Sequence, residues 1–180
     1  NDRLALSNTN RIRAGAESLG LPKIEITARQ IYALNPYAKI DLFPDGLTEK
    51  NIARFFVGPP KLDVVIDEID NLAMKHLIRQ YAKKHRIPVL MATDNGDNGL
   101  VDIERYDKNP KTRFFHGRMG GSTYEQLAKL DKFAAGKKIA DYVGIENVSP
   151  RMLDSLKEIG KTMVSWPQLG GAALLNGSAV

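Results

Sequence analysis

The stretch "LDVVIDEIDNLAMKHLIRQYAKKHRIPVLMATD", residues 62–94, decides the fold class of this chain. Residues 62–66 form an apolar, β-rich run of the kind found in strands that are covered on both faces. Residues 71–86 place apolar side chains at helical spacing, and a second apolar run, residues 87–92, follows directly. A strand, a helix and a strand in this order predict a right-handed crossover between two parallel strands. The sequence therefore predicts an α/β fold.

Two carboxylates, Asp67 and Asp70, follow the first of these strands. In an open parallel sheet, ligands bind beyond the carboxyl ends of the strands, where the next helices begin. A carboxylate at that edge can hold Mg²⁺, accept a hydrogen bond from a ribose hydroxyl, or cap the following helix. Asp70 stands directly before the predicted helix, so helix capping by Asp70 is an alternative that the local sequence leaves open.

Composition limits the classes of protein to which the chain can belong. Its 180 residues are 43% hydrophobic, which is enough to build the core of one ordinary domain. The absence of cysteine excludes disulfides, thiolate metal sites and a cysteine nucleophile from this sequence. No apolar run approaches the ~18 residues of a membrane span, and the first residues lack the apolar core of a signal peptide. These features predict a soluble, cytoplasmic domain that does not enter the membrane.

The first half of the chain also contains weaker secondary-structure signals. Residues 22–34 have helical spacing and end at Asn35-Pro36, which stops a helix. Residues 38–43 are predicted as a short strand, and a further helix is predicted to begin near Thr48. The "DNGDNG" motif, residues 94–99, is predicted to form a turn between two strands.

Three cations recur every four residues along the helix at 71–86, namely Lys75, Arg79 and Lys83. Like charges at this spacing cost about 0.2 to 0.5 kcal/mol per pair, and such a stripe is usually a solvated helix face. The formal net charge of +5 permits an anionic partner. However, the stripe has no interleaved aromatic positions for base stacking, so the pattern does not favour nucleic-acid binding.

The sequence of the C-terminal half predicts a mainly helical region. Residues 113–144 are predicted to hold one strand and a helix capped by Ser122. A further helix is predicted to begin near Ser149-Pro150, since proline is favoured in the first turn, and to end at Gly160.

Four ordered blocks of the sequence resemble consecutive blocks of the ThiF/MoeB family, which are ATP-using adenylyltransferases related to ubiquitin-activating enzymes. The blocks are "NDRLALSNTNRIR", "LGLPKIEITARQIYALNP", "DVVIDEIDN" and "IPVLMATDNGDNGLVDIERYD". Agreement in the order and spacing of four blocks is far more specific than a single motif match. The resemblance covers most of residues 1–107.

The first two blocks imply contacts with ATP. The family pattern D-x-V-x-x-S-N-L-x-R-Q is matched by Asp2, Ser7, Asn8 and Arg11, with Ile12 in place of the glutamine. By this resemblance Asp2 would contact the ribose, while Asn8 and Arg11 would line the phosphate region. The family's G-x-P-K element is matched at Gly20, Pro22 and Lys23, which implies that Lys23 reaches the phosphates.

The third block implies a metal ligand. The family's D-x-x-D-N element is matched by residues 67–71, which makes Asp70 the implied carboxylate for Mg²⁺ and ATP and adds Asn71 to the nucleotide site. Arg11, Lys23 and Asp70 would then act as electrostatic catalysts. They would bring the carboxylate substrate and the α-phosphate together and stabilise the departing pyrophosphate.

The resemblance implies a Rossmann-like, mostly parallel sheet with helices on both faces. The family's first strand and its glycine-rich phosphate loop would precede residue 1, and an additional helical insertion would lie in the C-terminal half. The chain is thus interpreted as a single ThiF-like segment, with a nucleotide-binding core at 1–107, a divergent helical region at 108–165 and the start of a closing helix at 166–180.

The implied function is activation of a carboxylate, such as a peptide or carrier-protein C-terminus, as an acyl-adenylate with release of pyrophosphate. ATP and Mg²⁺ are the implied cofactors, and self-association or a fused partner domain is expected. Two alternatives remain open. The first alternative to adenylation is a catalytically degenerate nucleotide-binding or scaffold module of a larger protein, and the second is a Rossmann-type oxidoreductase domain that binds NAD or FAD.

Overall fold

The computed structural model describes residues 2–163 and 169–180. Three strands and seven α-helices form the regular structure of these described residues. In chain order they are α1 (Lys23–Leu34), α2 (Ile52–Val57), β1 (Val65–Ile66), α3 (Leu72–His85), β2 (Val89–Asn95), β3 (Asn98–Glu104), α4 (Tyr124–Ala128), α5 (Lys132–Val143), α6 (Pro150–Lys157) and α7 (Gly170–Ala179). The chain folds as two compact units, Asn1–Thr48 and Glu49–Val180.

The first unit contains α1, which confirms the helix predicted at residues 22–34. The strand prediction at residues 38–43 was wrong, because these residues have no regular structure. A strand needs a neighbour for its backbone hydrogen bonds, and the described backbone pairing of this unit joins Arg3 to Pro22 instead. Leu4 donates its N–H to the carbonyl of Leu21 at 2.9 Å. This pairing holds the N-terminal segment against the start of α1.

The second unit is built on a three-stranded sheet in the order β1-β2-β3. The strands β1 and β2 are parallel, with Val65 opposite Val89, and α3 connects them. The strands β2 and β3 form an antiparallel hairpin whose two-residue turn contains Gly96 at a φ of 76°. The α/β class, the parallel crossover and the turn at residues 94–99 are therefore confirmed. The strand β1 is shorter than its apolar run, and Ile66 is exposed, so the expected cover on both faces was wrong for this strand.

Local signals fix both ends of α3. Asn71 caps its N-terminus by accepting a hydrogen bond from the Met74 N–H at 2.9 Å. Arg86 ends it in the left-handed conformation, with a φ of 56°. The basic residues of the last turn complement the negative end of the helix dipole.

The helices after the hairpin differ in detail from the sequence predictions. Thr123, rather than Ser122, caps α4 and exchanges hydrogen bonds with Gln126 as a capping box. Ser149 caps α6 and Pro150 occupies its first turn, as predicted. The strand predicted within residues 113–144 was wrong, since this range holds a short 3-10 helix, Phe114–Gly117, followed by α4 and α5.

The predicted closing segment begins in a part of the chain that is not described, residues 164–168. From Gly170 onward α7 is formed, and it packs against β2 and β3. The division into functional regions at residues 107 and 165 stays a prediction.

A hydrophobic core cluster lies between the sheet and the helices of the second unit. Its buried members are Leu72, Ala73, Met91, Phe115, Met119, Leu127, Tyr142 and Val143.

Candidate functional site

A cleft in the first unit contains two of the residues singled out in the sequence. Its volume is about 430 Å³. Two segments place Asp2 and Lys23 at its wall, because the Lys23 N–H donates to the Asp2 carbonyl at 2.9 Å where Lys23 begins α1. The other lining residues are Arg3, Pro22, Ile24, Glu25, Leu42, Phe43, Pro44 and Asp45.

Asp2 and Lys23 form an ion pair at this cleft. The Lys23 ammonium donates a hydrogen bond to the Asp2 carboxylate, and this bond lowers the pKa of Asp2 below its ordinary value. The Asp2 side chain is 73% exposed and the Lys23 side chain 26%. The carboxylate is therefore ionised at neutral pH and open to a ligand, while the lysine is held beside it.

Asn8 and Arg11 have local partners in the first unit. Asn8 is buried, and its side-chain oxygen accepts a hydrogen bond from the Ala5 N–H at 2.9 Å. This contact is a local cap of the short 3-10 helix Leu6–Asn8. Arg11 donates to the Ser7 carbonyl at 3.2 Å and to the Asn10 side chain at 3.0 Å. The phosphate-binding role of both residues stays a prediction.

Asp70 and Asn71 lie in the second unit, in the loop between β1 and α3. Asn71 caps α3, so the alternative in which Asp70 is the cap was wrong. Asp70 is exposed, and its side chain has no hydrogen-bond or ion-pair partner among the residues that the structure describes. The loop thus presents one available carboxylate to solvent.

The helix α3 contains functional candidates that the sequence did not reveal. The prediction of a solvated cationic stripe was wrong, because Arg79 is fully buried and Lys75 is largely buried. Lys83 donates to the Thr112 carbonyl at 2.8 Å and lies over the ring of Phe114. The stripe faces inward because Asp67 and Glu104, both fully buried, lie opposite Arg79.

A signal for this arrangement was present in β3. Asp102 and Glu104 alternate with Val101 and Ile103, so one face of the strand is acidic and the other is aliphatic. Such alternation usually points the polar face to solvent. Here the acidic face is buried and the aliphatic face is partly exposed, because the acidic side chains meet partners from other elements.

The six predicted site residues are divided between the two units, four in the first and two in the second. Asp2 and Lys23 are in contact at the cleft, with Asn8 and Arg11 elsewhere in the first unit, and Asp70 is adjacent to Asn71 in the second. Within residues 2–163 and 169–180, no three His, Asp or Glu side chains are grouped so that they could hold a metal ion by themselves. In the same ranges no helix has the length and apolar character needed to cross a bilayer.

Comparison with known proteins identifies relatives along nearly the whole chain. A protein from Mycobacterium tuberculosis named "Uncharacterized protein MT1398" is 39% identical over 170 residues, which are 94% of this chain and 23% of that protein. The tRNA threonylcarbamoyladenosine dehydratase of Escherichia coli is 33% identical over 56% of this chain and 37% of its own length. The sulfur carrier protein adenylyltransferase of Thermus thermophilus is 28% identical over 66% of this chain and 41% of its own length.

The chain therefore spans between about a quarter and two fifths of the length of these three relatives. The family model described as the ThiF family matches residues 1–125, which include both groups of predicted site residues. The four sequence blocks, the α/β fold and this match agree, and the chain belongs to the ThiF family.

Proposed function

We propose that the polypeptide to which this chain belongs activates a carboxylate by adenylation. A carboxylate oxygen of the substrate attacks the α-phosphate of ATP, the bond between the α- and β-phosphates breaks, and pyrophosphate leaves. Family membership and the relative that is named a sulfur carrier protein adenylyltransferase support this reaction class. The observation that carries the proposal is the Asp2–Lys23 ion pair at the wall of the cleft.

The cleft residues have the chemistry that a nucleotide requires. The ionised, exposed carboxylate of Asp2 accepts hydrogen bonds from ribose hydroxyls, which are donors. Lys23 exchanges its carboxylate partner for phosphate oxygens. Arg11 lies outside the lining of the cleft, in the same unit, and its proposed contribution is a planar fork that matches phosphate geometry. These cations reduce the repulsion between the two reacting anions. The reaction needs no protein nucleophile, so a chain without cysteine can perform it.

Asp70 is the proposed ligand of Mg²⁺. Mg²⁺ keeps several waters and is commonly held by one or two carboxylates together with substrate phosphates, rather than by a cage of protein groups. A single exposed carboxylate with no protein partner among the described residues fits that mode. When bound, the metal would neutralise charge on the phosphates. Asn71 supports the site by fixing the start of α3 next to Asp70.

The proposed substrate is the C-terminal carboxylate of a peptide or a small carrier protein, and the proposed assembly is a homo-oligomer or a fusion with a partner domain. The runner-up function is a nucleotide-binding or scaffold module whose own chemistry is lost. A Rossmann-type oxidoreductase has less support, because hydride transfer does not require Lys23 beside Asp2 at the cleft.

ATP–pyrophosphate exchange by the full polypeptide tests the proposed reaction. We expect exchange that depends on an added carrier protein or peptide and is lost in Lys23→Met and Asp70→Ala. Lys157→Met and Asp154→Ala are the matched controls, because these residues form an exposed ion pair with side-chain exposures of 70% and 75%. Exchange that is unaffected by Lys23→Met and Asp70→Ala would refute the assigned roles. Carboxylates to be added as substrates include a modified tRNA nucleoside. If the polypeptide binds ATP but shows no exchange with any of them, the scaffold alternative is favoured.

A further inference from the structure

A group of four charged side chains is buried between α3 and the sheet of the second unit. We define Asp67, Lys75, Arg79 and Glu104 as the buried charge cluster. Arg79 is its centre, with Nη1 2.6 Å from Oδ2 of Asp67 and with Nε hydrogen-bonded to Glu104. Lys75 lies 3.2 Å from the other Asp67 oxygen. The side chains of Asp67, Arg79 and Glu104 have 0% exposure, so the ion pairs are shielded from solvent.

The charged groups of the cluster also have hydrogen-bond partners outside it. Glu104 also accepts hydrogen bonds from the Tyr106 hydroxyl at 2.6 Å and the Phe115 N–H at 2.7 Å. Burial opposes the charge of Arg79, but Glu104 and Asp67 together raise its pKa above its ordinary value. Burial lowers the pKa of Lys75, and Asp67 opposes that shift. The guanidinium therefore stays charged and holds both carboxylates in fixed places.

Stability alone does not account for this cluster. Removing charges from water costs several kcal/mol per ion, and well-packed apolar residues of similar volume are often at least as stabilising as a buried ion pair. What an ion pair adds is a defined geometry, because charge and hydrogen-bond direction fix both partners. The ion pairs of the cluster therefore fix the position of the segments that carry them.

The cluster fixes the loop that carries Asp70. Asp67 is the first residue of the loop Asp67–Asn71, and its Oδ1 accepts a hydrogen bond from the Ile69 N–H at 3.1 Å. Glu68 binds the loop to β2 by accepting from the Ala92 N–H at 3.1 Å. Asn71 binds it to α3 through the helix cap. Contacts on both sides thus hold the backbone of Asp70 while its carboxylate is exposed.

We propose that the Asp67–Arg79 ion pair is a positioning pair that holds the Asp67–Asn71 loop so that Asp70 is ready to bind a divalent cation with its nucleotide. Arg79 is anchored to β3 by Glu104, and it acts on the site only through Asp67. The inference rests on the proposed role of Asp70, and it adds the residues that orient this ligand. Groups that orient a metal ligand commonly contribute ten- to a hundredfold to metal affinity, which sets the expected size of the effect.

The test compares two matched variants of the full polypeptide, Asp67→Asn and Glu104→Gln. Each keeps the side-chain size and removes one of the two charges that hold Arg79, but only Asp67 belongs to the loop. The measurement is the Mg²⁺ concentration that gives the half-maximal ATP-dependent rise in melting temperature. We expect Asp67→Asn to raise this concentration about tenfold or more and Glu104→Gln to raise it by much less, because only Asp67→Asn also removes a charge from the loop itself. Equal shifts in the two variants would overturn the proposal.

Hydrogen exchange in the absence of nucleotide provides a readout that does not depend on catalysis. We expect faster exchange of the loop amides, including that of Ile69, in Asp67→Asn than in Glu104→Gln. If Asp67→Asn does not fold, Arg79→Lys replaces it, because this variant keeps a buried cation but removes the guanidinium that joins Asp67 to Glu104. An unchanged Mg²⁺ requirement in folded Arg79→Lys would also overturn the proposal.

The same melting experiments distinguish an error in the proposed function from an error in the positioning role. If the wild type shows no stabilisation by ATP and Mg²⁺, the proposed function is wrong and the positioning role is lost with it. If the wild type responds, Asp70→Ala does not, and Asp67→Asn retains the wild-type Mg²⁺ requirement, the proposed function stands and only the positioning role is wrong.

Discussion

Asp2 and Lys23 illustrate how two distant positions create one chemical group. They are separated by 21 positions, and the backbone pairing between Arg3 and Pro22 brings them into contact. The family resemblance assigned both residues to the same nucleotide, but no local pattern in the sequence predicted that they bind each other. Their ion pair gives the cleft an ionised carboxylate and a neighbouring cation before any ligand arrives.

The pH dependence of Asp2 tests this pair. Because the hydrogen bond from Lys23 lowers the pKa of Asp2 from 3.8, the pair favours the folded state above that value, and its contribution is lost as the pH falls through the lowered pKa. We expect Lys23→Met to raise the pKa of Asp2 back toward 3.8, as measured by NMR titration of the carboxyl carbon. Lys157→Met serves as the control, and an Asp2 titration that is identical in wild type and Lys23→Met would contradict the ion pair.

The sequence predicts the long helices better than the short ones. The long helices α1 and α3 follow from apolar periodicity, and α6 follows from Ser149-Pro150. Short elements depend on tertiary contacts that periodicity does not record. The start of α2 lies four positions after the predicted Thr48, and the capping residue of α4 is displaced by one position.

The displaced cap of α4 leads to a prediction about two adjacent hydroxyl side chains. The Thr123 hydroxyl accepts a hydrogen bond from the Gln126 N–H, whereas the Ser122 hydroxyl donates to the Met119 carbonyl, at 3.4 Å. We expect Thr123→Ala to lower the free energy of unfolding by about 1 kcal/mol, because a backbone N–H loses its cap. Ser122→Ala is the matched control, and chemical denaturation measures both. A larger loss in Ser122→Ala would show that Ser122 is the cap, as the sequence suggested.

Buried charge is the feature of the whole chain that the sequence predicted least well. The repeat of Lys75, Arg79 and Lys83 resembled a solvated face because cations are seldom buried unless they are paired. The pairing partners, Asp67 and Glu104, are 12 and 25 positions from Arg79, and only the fold brings them together. The same fold exposes Asp70, the carboxylate for which the resemblance implies a role in binding Mg²⁺ and ATP.

Removal of Arg79 tests how strongly the fold depends on this cluster. We expect Arg79→Met to lower the free energy of unfolding by about 3 to 5 kcal/mol, because Asp67 and Glu104 would remain buried without their shared cation. Lys157→Met, at an exposed ion pair, should change it by less than about 1 kcal/mol. Denaturant unfolding of the full polypeptide measures both changes, and similar small effects would show that the cluster is not buried as described.

Thermal stabilisation by ATP and Mg²⁺ shows whether this chain contributes Asp70 to a site for both. The full polypeptide is melted with ATP plus Mg²⁺, with ATP plus EDTA and with NAD, in the wild type, Asp70→Ala and Asp154→Ala. A ligand at 100 times its dissociation constant stabilises by about 2.7 kcal/mol, which a melting curve resolves. We predict stabilisation that requires ATP and Mg²⁺ and is lost in Asp70→Ala but kept in Asp154→Ala. A folded wild type that is stabilised by NAD alone, or by neither nucleotide, would contradict this assignment. Full stabilisation of Asp70→Ala by ATP and Mg²⁺ would also contradict it.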